Sequence, residues 1–196
     1  MLSTQANKTA NTSARDRILI CAHELFYREG IRATGIDRVI AESNVSKATF
    51  YRHFPSKNDL ILAFLEYRHQ QWMAWFTGAL HRHGKGLDAL TPTLAEWFGD
   101  ERFRGCAFIN SVSELGGSLP EVVEISRRHK RDMVHAIAGL LPKSRQRDQD
   151  SQAIALAVDG AIVRAQFDGS PDAALRTLRR MLKLLRPDTA ESSAAG

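Results

Sequence analysis

The chain has 196 residues, of which 43% are hydrophobic, and its formal net charge at pH 7 is +5. A chain of this length and composition can bury a sizeable core, which excludes disorder over its whole length. No apolar run approaches the roughly 18 residues that a membrane span requires, and no export signal precedes the first helical pattern. With Cys21 and Cys106 alone, a disulfide framework or a cysteine-based zinc site is not expected. We therefore expect a globular cytoplasmic protein.

Positive charge is concentrated in the first third of the chain. Residues 1–57 contain nine Lys and Arg against five Asp and Glu, so they hold +4 of the net +5. This distribution suits a polyanionic partner, although a solvated basic face would have the same composition. The first 14 residues and the tail 187–196 are polar, and both are expected to be flexible.

The first predicted helix starts near Asp16 and ends near Glu29. Apolar residues repeat there at helical spacing, and Gly30 can take the positive φ of a C-terminal cap. Thr34 and Asp37 have the spacing of a capping box, which predicts a short second helix to about residue 42.

Two further caps follow in the sequence. Ser46 can accept a hydrogen bond from the amide of residue 48 or 49 and so begins a third helix, which Pro55 ends. Ser56 and Asp59 form another capping box, ahead of a long fourth helix that ends near residue 84 or 86.

The rest of the chain keeps helical periodicity and shows no β-alternation. Gly, Pro and polar stretches divide it into segments at about 87–99, 106–115, 120–141, 150–168 and 171–186. Ser170 and Pro171 read as an N-cap followed by proline at the first helical position. The expected fold is all-α with about nine helices.

The second and third helices are joined by a tight turn and predict a helix-turn-helix. Asn44 stands where the turn needs positive φ, which Asn tolerates better than most residues. Phe50 and Phe54 would turn inward. The outward side chains would then be those that donate to phosphates and base edges: Lys47, Thr49, Tyr51, Arg52 and His53.

This part of the chain resembles a known family. From residue 32 onward it reads RATGIDRVIAESNVSKATFYRHFPSKNDL, which is similar to the DNA-binding motif of TetR/AcrR-family transcriptional regulators over roughly residues 15–62. The similarity is specific because three features occur at fixed spacing: the recognition helix, the residues that end it and the N-terminal cap of the next helix. Two positions depart from the usual pattern: Gly35 replaces a frequent Thr and Asn44 replaces a frequent Gly.

The resemblance implies roles for individual residues. It places Lys47, Thr49, Tyr51 and His53 on DNA, gives phosphate contacts to Thr34 and Lys57, and lets Ser46 cap the helix and contact DNA. It also implies a DNA-binding domain over 15–58 and a ligand-binding and dimerisation domain over 59–186. The expected activity is that of a ligand-responsive repressor, acting as a homodimer on a palindromic operator.

The family would form its dimer through the last two helices. The segment at 150–168 is rich in small residues that allow close helix approach: Ala153, Ala155, Ala157, Gly160, Ala161 and Ala165. The last helix carries an apolar face: Leu175, Leu178, Met181, Leu182 and Leu185. A four-helix interface between two subunits is the hypothesis, and packing inside one chain is the alternative.

Aromatic residues between positions 72 and 108 could line a cavity for a small-molecule effector. The candidates are Trp72, Phe76, Trp97, Phe98 and Phe108, with Arg102, Asn110, Glu114 and His135 as possible polar anchors. Aromatic residues at helical spacing also occur in ordinary cores, and the polar residues could be solvated or paired locally. The long fourth helix is expected to transmit the effect of effector binding to the DNA-binding domain.

Other classes of function remain as alternatives. The sequence has no nucleophile elbow, phosphate-cradling glycine loop or metalloprotease motif, so no enzyme activity and no cofactor are expected. His81 and His83 do not share a helix face, so no metal site is expected. Cys106 could support redox sensing but has apolar neighbours. A nonspecific DNA-binding protein would share the basic N-terminal part.

Overall fold

The computed structural model describes residues 13–84 and 86–186, which form nine α-helices and no β-strand. The expected all-α fold is confirmed. The flexible segments expected at 1–14 and 187–196 lie outside the described residues, except for residues 13 and 14. The helices are α1 (Ala14–Glu29), α2 (Ile36–Glu42), α3 (Lys47–His53), α4 (Lys57–Arg82), α5 (Leu90–Phe98), α6 (Ala107–Leu115), α7 (Pro120–Ala138), α8 (Arg147–Phe167) and α9 (Asp172–Leu184).

The N-terminal caps follow local chemistry, with one correction. Helix α1 starts two residues earlier than expected because the Ser13 hydroxyl accepts from the amide of Asp16 at 3.1 Å. The capping box expected at Thr34 is wrong, since Gly35 is the N-cap of α2 and no side chain caps that helix. Thr34 is instead fully buried, and its hydroxyl donates to the carbonyl oxygen of Gly30 at 2.8 Å.

Helix boundaries in the second half differ slightly from the expected ones. The segment expected at 87–99 begins with a 3-10 turn at Leu87–Ala89 before α5. Helix α9 begins at Asp172 rather than at Pro171, and the Ser170 hydroxyl accepts from the amide of Asp172 at 3.2 Å. The ends of helices fray, so shifts of one or two residues do not change the fold.

The chain divides into two compact units. Of the described residues, the first unit comprises 13–75 and 104–130, and the second comprises 76–84, 86–103 and 131–186. The first unit therefore holds α1 to α3, most of α4, all of α6 and the first half of α7. This grouping cuts across the functional boundary expected at residues 58 and 59, which stays a prediction.

Each unit has its own buried apolar core. In the first, Phe50 and Phe64 are fully buried, and Phe26 packs edge-on against Phe64 with ring centroids 5.4 Å apart. In the second, α8 and α9 pack on each other, with Val158 and Leu178 both buried. Among residues 13–84 and 86–186, no helix combines the length and apolar character needed to cross a membrane.

Candidate nucleic-acid interface

The turn between α2 and α3 adopts the geometry that the sequence predicts. Asn44 has a φ of 52°, a left-handed conformation in which Asn is enriched. The amide of Asn44 donates to the carbonyl of Ala41 at 3.2 Å, and the amide of Val45 donates to that of Ile40 at 3.4 Å. These bonds close the turn and fix the direction in which α3 leaves it.

Buried aromatic residues set the rotation of α3. Phe50 is fully buried and Phe54 is 2% exposed, with ring centroids 6.2 Å apart. Because these two residues lie four positions apart, they share one face of the helix. The opposite face is directed to solvent.

Five predicted DNA-contact residues lie on or beside that outward face. Lys47, Tyr51 and Arg52 are exposed, whereas His53 and Thr49, whose place at the start of α3 is set by Ser46, are half-buried. The Lys47 side chain is 69% exposed, and its ammonium lies 3.9 Å from an Asp37 carboxylate oxygen. An exposed ion pair of this length contributes little, so the ammonium is available to a phosphate.

The N-terminus of α3 is organised by one hydroxyl. The Ser46 Oγ accepts from the amide of Thr49 at 3.1 Å, which confirms the predicted cap. The same oxygen lies 2.9 Å from the Thr49 hydroxyl. This pair holds the Thr49 side chain in place at the start of the helix.

The two predicted phosphate contacts outside α3 are engaged within the protein. The buried Thr34 hydroxyl donates a hydrogen bond to the carbonyl oxygen of Gly30, which argues against a direct contact between that hydroxyl and a phosphate. The Lys57 ammonium donates to the carbonyl of Ile31 at 2.7 Å, and burial lowers its pKa while Glu114 opposes that change. An ammonium has three donors, so Lys57 keeps two for another acceptor.

The helix-turn-helix region matches a known protein family. Residues 18–64 match the family model described as "Bacterial regulatory proteins, tetR family". A structure of SCO4454, a TetR-family transcriptional regulator from Streptomyces coelicolor, superposes with a TM-score of 0.80, covering 94% of this chain and 96% of that one at 26% identity. The chain belongs to the TetR family. It is accordingly a DNA-binding transcriptional regulator.

Curated relatives of this TetR-family chain match it to different extents. The transcriptional activator FasR of Mycolicibacterium smegmatis is 38% identical over 62 residues, which cover 32% of this chain and 28% of FasR. The transcriptional regulator AcuR of Cereibacter sphaeroides is 24% identical over 174 residues, covering 81% of this chain and 79% of AcuR. The match to FasR thus spans less than a third of that protein.

The candidate effector residues of the TetR-family chain fall into two groups, one in each unit. In the first unit, Trp72 and Phe108 both contact His129, with ring centroids 4.9 Å and 3.7 Å from its ring. In the second unit, Trp97 and Phe98 are adjacent. A further aromatic residue, Phe103, lies 5.2 Å and 5.0 Å from these two rings. Phe76 is also fully buried in the second unit.

His129 is a member of the first cluster that the sequence pattern did not indicate. It is 2% exposed, and its Nδ1 lies 3.2 Å from the Nδ1 of His69. Burial lowers the pKa of His129 far below its ordinary value, so its imidazole is neutral. The neutral imidazole, which lies beside His69, places a polar group between Phe108 and Trp72.

Two of the four proposed polar anchors bond locally. Arg102 pairs with Asp100 at 3.0 Å, and the Asn110 amide donates to the carbonyl of Arg104 at 3.0 Å. His135 is exposed on α7. Cys106 is the N-cap of α6 and is only 4% exposed, and this burial disfavours rapid reaction with an oxidant.

Proposed function

We propose that this regulator reads a palindromic operator as a homodimer and acts as an effector-responsive repressor. The observation that carries the proposal is the donor-rich outward face of α3, held in one rotation by Phe50 and Phe54 beneath it. On this face Lys47 would contact phosphate, and Thr49, Tyr51, Arg52 and His53 would reach base edges or the backbone. Ser46 would preserve the start of the helix.

The homodimer is proposed to form through α8 and α9. A stripe along α8 leaves Leu156 and Phe167 exposed at 75% and 77%, and a Cβ added to Gly160 between them would meet no atom of the described residues within 4 Å. On α9, Leu184 is 77% exposed and Met181 is 40% exposed. Large apolar side chains at helical spacing on two neighbouring helices suit a second copy of the same surface.

The small residues of α8 take a different role from the one expected. Ala155, Ala157, Ala161 and Ala165 are buried within the chain, so they serve packing of the second unit. The proposed interface uses the other side of the helix, through Leu156, Gly160 and Phe167. The four-helix arrangement is kept, with different residues at its centre.

An apolar or aromatic effector is the proposed ligand class. Trp72 and Phe108 in the first unit, and Phe76, Trp97 and Phe98 in the second, provide buried aromatic surface. An effector that binds better to a dimer conformation in which the two α3 helices do not match the half-site spacing would release DNA. Half-sites about 34 Å apart require that the two α3 helices keep a fixed distance. FasR is named an activator, so the sign of regulation in this chain is an experimental question.

Selection of bound fragments from randomised duplex DNA at physiological salt tests the proposal. We expect an enriched palindrome whose half-sites lie about one helical turn apart. Enrichment of a single unrepeated site would contradict a dimeric reader. Recovery of no sequence preference, with steep loss of affinity as salt rises, would instead indicate nonspecific binding through phosphate contacts alone.

A reporter gene placed downstream of the selected operator then tests whether the protein represses or activates transcription. Lower reporter output in the presence of the protein, restored by a panel of aromatic compounds, is the expected result for an effector-responsive repressor. Output that rises with the protein would replace repression by activation and leave operator recognition intact.

A further inference from the structure

A side chain from α6 holds the loop that follows α1. Glu114, in the last turn of α6, accepts hydrogen bonds from the backbone amides of Ile31 at 3.3 Å and Arg32 at 2.8 Å, one to each carboxylate oxygen. Lys57 of α4 donates to the carbonyl of Ile31. Hydrogen bonds to a charged acceptor are among the stronger ones in proteins, so this loop is fixed from two helices.

The backbone of the loop is shaped to admit the carboxylate. Gly30 has a φ of 92°, which L side chains rarely adopt, and a Cβ placed there would lie 3.3 Å from the Glu114 Oε1. Glycine therefore permits both the turn and the close approach of Glu114. The Thr34 hydroxyl closes the same loop by donating to the carbonyl of Gly30.

A second tie joins α1 to the other end of α6. The Tyr27 hydroxyl accepts from the amide of Arg104 at 3.0 Å and donates to the carbonyl of Gly105 at 2.9 Å. These two residues closely precede the N-terminus of α6. Helix α6 is thus bonded to α1 at its start through Tyr27 and to the loop after α1 at its end through Glu114.

The loop held by Glu114 leads directly into α2, which the tight turn joins to α3. We propose that Glu114 is a positioning residue for DNA recognition, which fixes the loop at 30–34 and makes α6 part of the body that presents α3. This inference rests on the proposed function, because it assumes that α3 reads the operator. The grouping of 104–130 with residues up to 75 in one compact unit agrees with it.

The same helix carries an aromatic residue of the buried cluster. Phe108 stacks on His129 and lies six residues before Glu114, a separation of about 9 Å along α6. A ligand that displaces Phe108 would therefore act on the helix that holds the loop. This gives the cluster a short physical connection along α6 to the helices α2 and α3, in addition to α4, which carries Trp72 and Lys57.

Four full-length variants test the role of Glu114. Glu114→Ala removes both acceptors, Glu114→Gln keeps one oxygen that can accept a hydrogen bond, and Tyr27→Phe breaks the tie at the start of α6. Glu121→Ala is the matched control, because it removes the same charge from an exposed position in the same unit. Each variant is measured against the selected operator, against an unrelated duplex and by hydrogen exchange.

We expect Glu114→Ala to weaken operator binding about tenfold or more while affinity for unrelated duplex changes little, since phosphate contacts need no fixed register. Glu114→Gln should fall between Glu114→Ala and the unchanged protein. Exchange of the amides of Ile31 and Arg32 should accelerate in both Glu114 variants. Glu121→Ala should match the unchanged protein in every measurement.

The inference is overturned if Glu114→Ala folds, exposes these two amides and still binds the operator like Glu121→Ala. Equal losses on operator and unrelated DNA would overturn it too, because removal of a negative charge does not weaken phosphate contacts and a loss common to both duplexes would reflect general damage to the fold rather than positioning. If Glu114→Ala does not fold, Glu114→Gln decides by the same criteria, and Tyr27→Phe decides by whether operator affinity falls while affinity for unrelated duplex does not. Failure of the unchanged protein to select any sequence would refute the proposed function instead, so the two failures are distinguishable.

Discussion

The exposed side chains of α3 divide by the kind of DNA contact that they can make. Lys47→Ala should weaken binding to operator and unrelated duplex alike and reduce the slope of log affinity against log salt by about one, because one phosphate contact is lost. Titration over a range of salt concentrations measures this slope.

Tyr51→Phe and Thr49→Ala should instead change the preferred sequence, since a hydroxyl that donates to a base edge carries sequence information. Repeating the duplex selection with each variant reveals the change. The substitution Arg28→Ala is a suitable control, because Arg28 pairs with Glu29 near the end of α1. A Tyr51 variant and a Thr49 variant that both recover the original operator would contradict the assignment of α3 as the recognition helix.

Single residues were predictable from the sequence where their partners are near in the chain. The Ser46 cap, the positive φ of Asn44 and the Ser56 cap, which accepts from the amide of Asp59 at 3.1 Å, all depend on neighbours within three positions. The bonds of Glu114 to residues 31 and 32 join positions more than 80 apart. No local pattern predicts such a contact, and tertiary packing likewise makes Thr34 a buried donor rather than a cap.

At the scale of the helix, the outward face of α8 makes a testable case for dimerisation. Gly160 is exposed in the middle of α8, and no atom of the described residues lies within 4 Å of a Cβ added there. Gly160→Leu should therefore be accommodated in the monomer and should raise helix propensity by up to about 1 kcal/mol. If a second copy packs on this face, the added side chain should weaken the dimer.

Sedimentation and thermal melting separate these two effects of Gly160→Leu. The expected result is a lower dimer fraction at micromolar concentration with a folded monomer, while Gly160→Ala, which adds one methyl group, should retain more dimer. Leu184→Glu should also reduce dimerisation, because it places a charge on the exposed apolar stripe of α9. Unchanged dimer mass in both Gly160→Leu and Leu184→Glu would place the interface elsewhere.

Helix periodicity predicted the nine helices of the described chain and the inward face of α3, but not which apolar residues α8 and α9 leave exposed. On α9 the expected face included Leu178 and Leu182, which are buried, and Met181, which is 40% exposed. The sequence pattern did not predict which apolar residues of α8 and α9 are most exposed. An apolar residue gives the same pattern whether a neighbouring helix or a second subunit covers it. Tertiary packing decides between the two.

For the whole molecule, burial of a neutral histidine links folding to pH. The pKa of His129 is lowered mainly by burial, with the nearby Lys130 adding to the effect. The unfolded chain binds a proton at His129 near pH 6.5, whereas the folded chain does not until the pH is far lower. The free energy of unfolding should therefore be undiminished above about pH 6.5 and should fall by up to about 1.4 kcal/mol per unit below it.

Urea unfolding at pH 7.5, 6.0 and 5.0 measures this dependence at one fixed protein concentration, because dimerisation would otherwise shift the midpoint. His129→Gln removes the titrating group and should flatten the decline below pH 6.5, even though it lowers stability at neutral pH. The control is His135→Gln, which changes an exposed histidine on the same helix and should keep the decline. Parallel curves for both variants would mean that other groups cause acid destabilisation and that His129 accepts a proton without unfolding. A flattened curve for His129→Gln would instead show that burial of this imidazole against Phe108 links its protonation to unfolding.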